Sequence, residues 1–237
     1  MSLILDNMPL FLRGLLATLQ IGVVTLIAST IIGFILGTLA VTRSRLLRLV
    51  VRGYVELLRA VPLIVNIFFI FFGAPLFGLQ LTPYAAAVIG LSLWGGANGA
   101  EIVRGGLLGV PRHQAQSARA LGMTEPEIFI QILLPQAMRA IIPAFAGLLT
   151  LLVQSTTLGA LVGVPEFLQI SRLVVERTTV MQGIDPAFQV YAFVLVIYFL
   201  LCSTLSFASR WLESVLAARG GSRKTGTAKS LLPETVS

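Results

Sequence analysis

Apolar residues run through this chain in long blocks, without the strict alternation of strands or the narrow stripes of water-soluble helices. Five blocks stand out, at about residues 14–40, 60–79, 82–108, 138–163 and 189–209. At about 1.5 Å rise per residue, a helix needs roughly 20 residues to cross the hydrocarbon of a bilayer. The pattern predicts an all-α membrane protein with five transmembrane helices. Residues 1–13 are expected to form an outer N-terminal segment, 14–212 the membrane domain, and 213–237 a disordered cytoplasmic tail.

The polar positions between the blocks give this arrangement a direction. Arg43, Arg45, Arg48, Arg52 and Arg59 flank the first connection, and Arg104, Arg112, Arg119 and Arg139 the third. Arg210, Arg219, Arg223, Lys224 and Lys229 follow the last block. With five spans these share one side, leaving only Arg13, Arg172 and Arg177 of the 17 basic residues on the other. Cytoplasmic loops carry the excess of Arg and Lys, so the expected orientation is N-terminus outside and C-terminus in the cytoplasm. The opening residues lack a basic start, and the first block is too long for a signal core, so it reads as an uncleaved anchor.

Composition supports a lipid-facing chain and removes several functions. Of 237 residues, 56% are hydrophobic and 11% charged, too few charges to coat a soluble domain of this size. The net charge of +7 lies between the apolar blocks, which fits anionic headgroups and not nucleic acid. One cysteine, Cys202, and one histidine, His113, leave no disulfide and poor support for metal or triad chemistry. No Gly-x-x-x-x-Gly-Lys-Ser/Thr phosphate loop is present, and Gly226–Ser230 has the wrong spacing. No cofactor is expected in this chain, and no enzymatic activity.

Individual polar residues admit two readings. Gly33 and Gly37 form a GxxxG suited to close helix packing or to a dimer surface. Asn66, Asn98, Gln154, Ser155 and Thr156 sit within or near apolar spans, as helix–helix glue or as a translocation path. Gln154-Ser155-Thr156-Thr157 is the best path candidate, because four consecutive polar residues cover more than one helix face. Glu101 and Arg104 are one turn apart, a structural pair or a gate. Glu166, Glu176 and Asp185 lie in the outer connection, as a solvated acidic face or as a surface that receives a partner protein. Pro62 suits the first turn of a helix, and Pro143 is placed to bend the fourth span.

The connection between the third and fourth blocks, about 109–136, is the most informative segment. It has room for two short helices separated near Gly122 and Pro126. Ala115, Ala118 and Gly122 recur at helical steps and make a narrow face, for local packing within the loop or for close approach of another protein. Gly122 suits a helix exit, and Thr124-Glu125-Pro126-Glu127 a cap and first turn. Phe129, Ile132 and Leu133 are positioned to anchor the second helix on the bundle.

This segment resembles the cytoplasmic coupling loop of bacterial ABC-transporter permeases, particularly the polar amino-acid uptake family of the histidine, glutamine and arginine type. The family's Gly-Gln, Glu-Ala-Ala, Gly and Leu-Pro pattern matches His113-Gln114, Gln116-Ser117-Ala118, Gly122 and Leu134-Pro135. The lead-in Glu101-x-x-Arg104-Gly105-Gly106, the segment Tyr54–Leu63 and the run Gln154–Leu158 extend the resemblance over about residues 14–212. Gln116 stands where the family has an acid, and Gln154-Ser155 where it has a Lys-Asp pair.

The resemblance implies a type I importer transmembrane domain, MetI-like, in the bacterial inner membrane. It further implies a second permease subunit, identical or a sister chain, two cytoplasmic ATPases carrying ATP and Mg, and a periplasmic solute-binding protein delivering an amino acid. Gln114, Ala115, Gln116, Ala118 and Gly122 then become the ATPase-coupling surface. A noncatalytic membrane scaffold, or a permease for another small polar solute, is the competing reading.

Overall fold

The computed structural model describes residues 2–42 and 44–221. Arg43 and residues 222–237, with Arg223, Lys224, Lys229 and most of the expected tail, lie outside the described residues. The elements in chain order are α1 (Ser2–Asp6), α2 (Met8–Leu39), α3 (Arg45–Ala60), α4 (Leu63–Gly73) with a 3-10 turn (Ala74–Phe77), and α5 (Pro83–Leu108). They continue with α6 (Arg112–Ala120), α7 (Glu125–Glu127), a π turn (Ile128–Leu133), α8 (Leu134–Ser155), a 3-10 segment (Thr156–Val162), α9 (Phe167–Gln182) and α10 (Ala187–Gly221).

Among the described residues, four helical segments are long and apolar enough to cross a membrane: Met8–Leu39, Pro83–Leu108, Glu125–Val162 and Ala187–Val215. The expected span at 60–79 is different. Its helix α4 has 11 residues, and a fifth span is counted only when α3 and α4 are taken together as a pair bent by 100°. The break follows from Pro62, whose ring drives the preceding Val61 out of the helical region to φ −80°, ψ 130°. The Asn66 side-chain amide donates to the carbonyls of Leu58 and Val61, each at 3.4 Å, and so covers backbone groups left open at the bend.

Two domain boundaries shift. Half of the segment expected outside the membrane domain belongs to α2, which starts at Met8 with a proline in its first turn. Phe11 draws it in: this side chain is buried, with ring centroids 6.1 Å from Phe167 and 5.3 Å from Phe193. At the other end α10 stays helical to Gly221, past residue 212.

Helix α5 is the centre of the bundle, and α2 lies along it more extensively than any other element. The buried face of α2 explains how closely the two approach. It consists of Gly14, Thr18, Gly22, Thr25, Ser29, Gly33 and Gly37, at steps of three or four residues. A Cβ on Gly33 would stand 2.8 Å from the backbone of Gly99, and one on Gly37 2.5 Å from Val103. The GxxxG is therefore filled by α5 of the same chain and offers no free dimer surface. Leu91, Val103 and Leu107 of α5 join Ile141, Phe145, Leu148 and Leu152 of α8 in the main core.

Candidate functional site

The α6–α7 connection is a rigid elbow. Helix α6 ends in a motif that needs a left-handed residue, and Gly122 supplies it at φ +81°. The Met123 N–H then reaches Ala118 O at 3.1 Å, and the Gly122 N–H reaches Arg119 O at 3.0 Å. Across the turn the Arg119 guanidinium donates to both carboxylate oxygens of Glu125, at 2.7 and 3.1 Å. Glu127 accepts from the Thr124 N–H at 2.8 Å and from its hydroxyl at 2.7 Å, closing the start of the next helix. These are the exit and the cap that the sequence indicates.

Below the cap the chain makes the π turn Ile128–Leu133. Pro135 has no N–H to give the preceding turn, and the wider i→i+5 pattern absorbs that gap. Ile128 is buried, and Phe129 and Leu133 pack on the main core. The elbow thereby packs directly onto the start of α8. Of the expected coupling residues, Gln116 and Gly122 are exposed, Gln114 and Ala115 half-buried, and Ala118 only 4% exposed. The small-residue face is thus divided: Ala118 turns under α6, while Gly122 faces outward with open space beside it.

At the other end of α8 the helix tightens into the 3-10 segment at Thr156. Thr156 and Thr157 turn their hydroxyls back onto the carbonyls of Val153 and Gln154, both at 2.8 Å. Thr156 is buried, Ser155 half-buried and Gln154 exposed. Gln154 and Thr157 open onto a cavity of about 590 Å³ whose opposite wall is α10. That wall presents Cys202, Ser203, Ser206 and Arg210, recurring at helical steps on one face. Arg210 has no ion-pair partner among the described residues. The α10 stripe was not singled out from the sequence, although Cys202, Ser206 and Arg210 at four-residue spacing carry the signal.

Asn66 and Asn98 do not line this cavity. Asn66 serves the α3–α4 bend, and the Asn98 amide donates to Trp94 O on its own helix at 2.9 Å. Glu101 and Arg104 form a two-point ion pair, shortest at 2.6 Å, on the C-terminal half of α5. Its position is far along the chain from the α8–α10 cavity, and it does not line that cavity.

The largest departure from expectation is Glu166. The sequence indicates a surface acid on the outer connection, and the structure buries it fully. Glu176 and Asp185 are exposed, pairing with Arg172 at 2.8 Å and accepting from the Ala187 N–H at 2.9 Å. Glu166 instead joins three helices. One oxygen accepts from Thr18 of α2 at 3.3 Å and from the Tyr198 hydroxyl of α10 at 2.9 Å. The other accepts from the Gln169 N–H at 2.8 Å and caps α9. Thr18 completes the knot by accepting from the Phe167 N–H at 3.1 Å. Glu166 lies between the segments ending at Val162 and beginning at Ala187, and burial pushes its carboxyl above the ordinary 4.5.

A bundle centred on α5, a broken second hydrophobic segment and an elbow packed onto a long helix together define a multi-pass membrane protein with the type I importer fold. The chain belongs to the family described as binding-protein-dependent transport system inner membrane component, whose model matches residues 29–216. It is 32% identical over 216 residues to the probable glutamine ABC transporter permease protein GlnM of Bacillus subtilis, covering 91% of this chain and 97% of that one. It is 30% identical to the probable amino-acid ABC transporter permease protein YckA of the same organism, covering 91% and 93%. Among solved structures, one described as an amino acid ABC transporter with histidines matches the fold with a TM-score of 0.81. That match has 24% identity and covers 90% of this chain and 96% of the other. The chain is a transport component of the bacterial inner membrane.

Proposed function

We propose that this chain is the permease subunit of an ATP-driven importer of polar amino acids, forming one half of a dimeric pore. One observation carries the reading: Glu125–Val162 runs as one helical segment of 38 residues through Pro143, which does not divide it, with the elbow at one end and the polar cavity toward the other. At about 1.5 Å per residue the segment spans on the order of 50 Å. Movement of a partner docked at the elbow is delivered along it to Gln154 and Thr157.

In this reading the elbow and the basic connections face the cytoplasm and the N-terminus faces out, as the distribution of arginines implies. ATP and Mg are held by two ATPase subunits, which seat against the surface around Gln116 and Gly122. A solute-binding protein delivers the amino acid from outside. ATP-driven closure of the ATPases moves both elbows and turns the pore outward; hydrolysis resets it. The solute path is the α8–α10 cavity, where the Gln154 amide, Thr157, Ser203 and Ser206 offer hydrogen bonds to a zwitterion. The relatives named for glutamine and amino-acid transport support this substrate class.

Reconstitution tests the proposal. Vesicles holding the chain, its ATPase and its binding protein should accumulate amide-bearing, acidic or basic amino acids only with ATP. Tight assembly without ATP-dependent uptake of any amino acid would show a scaffold instead. Uptake of other small polar solutes alone would replace the substrate class. Gly122→Val, strained at its positive φ and bulky on the docking face, should lower solute-stimulated ATP hydrolysis while the chain still inserts.

A further inference from the structure

We propose that the arginine-walled cavity between α3 and α5 binds the phosphate headgroup of an anionic phospholipid. The site rests on the chain crossing a bilayer and not on which solute it carries.

Helix α3 carries three different faces. Val51 and Val55, both buried, pack against Ala97 and Ala100 of α5. Leu46, Val50 and Leu57 lie on a second face and are 69%, 62% and 63% exposed, uncovered by any described residue. Arg45, Arg48, Arg52, Glu56 and Arg59, at steps of three and four residues, form the third. The 100° bend into α4 turns α3 across the direction of the apolar segment it precedes. A basic amphipathic helix at right angles to a span lies in the membrane interface, with its apolar face in the acyl boundary and its basic face at headgroup level.

The basic face borders a cavity of about 820 Å³, within the roughly 300–1,000 Å³ typical of small-ligand sites. Its charged lining is Arg48, Arg52, Arg59 and Arg104 against Glu56 and Glu101, a formal excess of two positive charges. Two arginines are already neutralised, Arg52 by Glu56 and Arg104 by Glu101, both at 2.6 Å. Arg48 and Arg59 form no direct ion pair among the described residues, although Glu101 feels the charge of Arg59, and Arg48 gives one N–H to Thr42 O at 2.9 Å. A planar guanidinium presents paired donors that match two phosphate oxygens. Charge alone would suit a free anion as well. The uncovered leucine and valine face beside the arginines gives acyl chains a place, which inorganic phosphate does not use.

The test is lipid binding by the purified, detergent-solubilised full chain, read by native mass spectrometry with phosphatidylglycerol against phosphatidylcholine. The wild type should prefer phosphatidylglycerol. Arg48→Gln with Arg59→Gln should weaken that preference by roughly 30-fold, at about fivefold per arginine. Arg45→Gln, on the same face but outside the cavity lining, should change it less than twofold. Glu56→Gln, which releases Arg52, should strengthen phosphatidylglycerol binding by about fivefold, a gain that misfolding cannot mimic.

Equal weakening by Arg45→Gln would reduce the effect to diffuse surface charge and overturn the site. Displacement of the lipid by millimolar inorganic phosphate would reassign it to a free anion. Unchanged lipid preference in the double variant, with lost ATPase association, would make the arginines a protein-docking surface. Because none of these readouts requires transport, failure of the lipid site is separable from failure of the amino-acid assignment.

Discussion

Glu166 and Gln154 are both polar side chains set among apolar helices, and the protein treats them oppositely. Each carboxylate oxygen of Glu166 meets a donor, and the partners come from α2, α9 and α10. Gln154 is exposed to a cavity and, with Thr157, faces the hydroxyls of Ser203 and Ser206 and also Arg210, which has no ion-pair partner among the described residues. A buried polar group must be satisfied within the protein or by what enters beside it. The first cluster has closed its account internally and acts as a structural tie. The second leaves capacity for water or solute. The contrast teaches that polarity in a membrane span is not itself a sign of a pathway; open hydrogen-bonding capacity beside a cavity is.

Removing the tie should produce the largest effect. Glu166→Leu leaves the Thr18 and Tyr198 hydroxyls and the Gln169 N–H without their acceptor. At about 1–3 kcal/mol for an orphaned buried group, we expect a loss on the order of 3–5 kcal/mol, read as thermal unfolding in detergent. A variant that melts like the wild type would show that the knot holds nothing together.

The same residue sets a pH dependence. Burial raises the carboxyl in the folded state, so the folded chain binds its proton more tightly than the unfolded chain. This contribution is fully present below the unfolded value and is lost as pH rises through the folded one. Wild-type melting should therefore fall as pH increases from about 4.5 toward neutrality. Glu166→Gln cannot titrate and should flatten that part of the profile. Parallel profiles for the two proteins would remove Glu166 as its source.

The difference between these clusters was only partly legible in the sequence. Long apolar blocks mark α2, α5, α8 and α10 because helix length against bilayer thickness is a one-dimensional property. The elbow was legible for a similar reason: Gly122, Thr124 and Glu127 act on backbone groups within a few residues. Glu166 looked like a loop acid because its partners are remote, Thr18 at 148 positions and Tyr198 at 32. Helix α3 was passed over as a basic connection, although its arginines repeat at helical steps. Ala118 was placed on a partner-facing surface because periodicity identifies a face without saying what covers it; here the π turn does.

A smaller effect should separate transport from stability at the open cluster. Gln154→Ala removes an exposed amide with no role in the core, so melting should change by less than about 0.5 kcal/mol. Loss of one solute hydrogen bond, worth about 0.5–1.5 kcal/mol, should lower reconstituted uptake by roughly threefold to tenfold. Normal uptake together with a large drop in melting would place Gln154 with Glu166 as a structural group.

Tyr198 allows the finest test, because it belongs to both clusters. Its ring lines the cavity, while its hydroxyl donates to Glu166 at 2.9 Å. With that proton committed to the tie, Tyr198→Phe should lower stability by about 1 kcal/mol and leave the concentration dependence of uptake unchanged. The phenyl ring remains, so the cavity keeps its shape and only the hydrogen bond is lost. A raised KM for solute with unaltered melting would mean the hydroxyl serves the pathway, and the division between a closed tie and an open path would no longer hold at the residue where they meet.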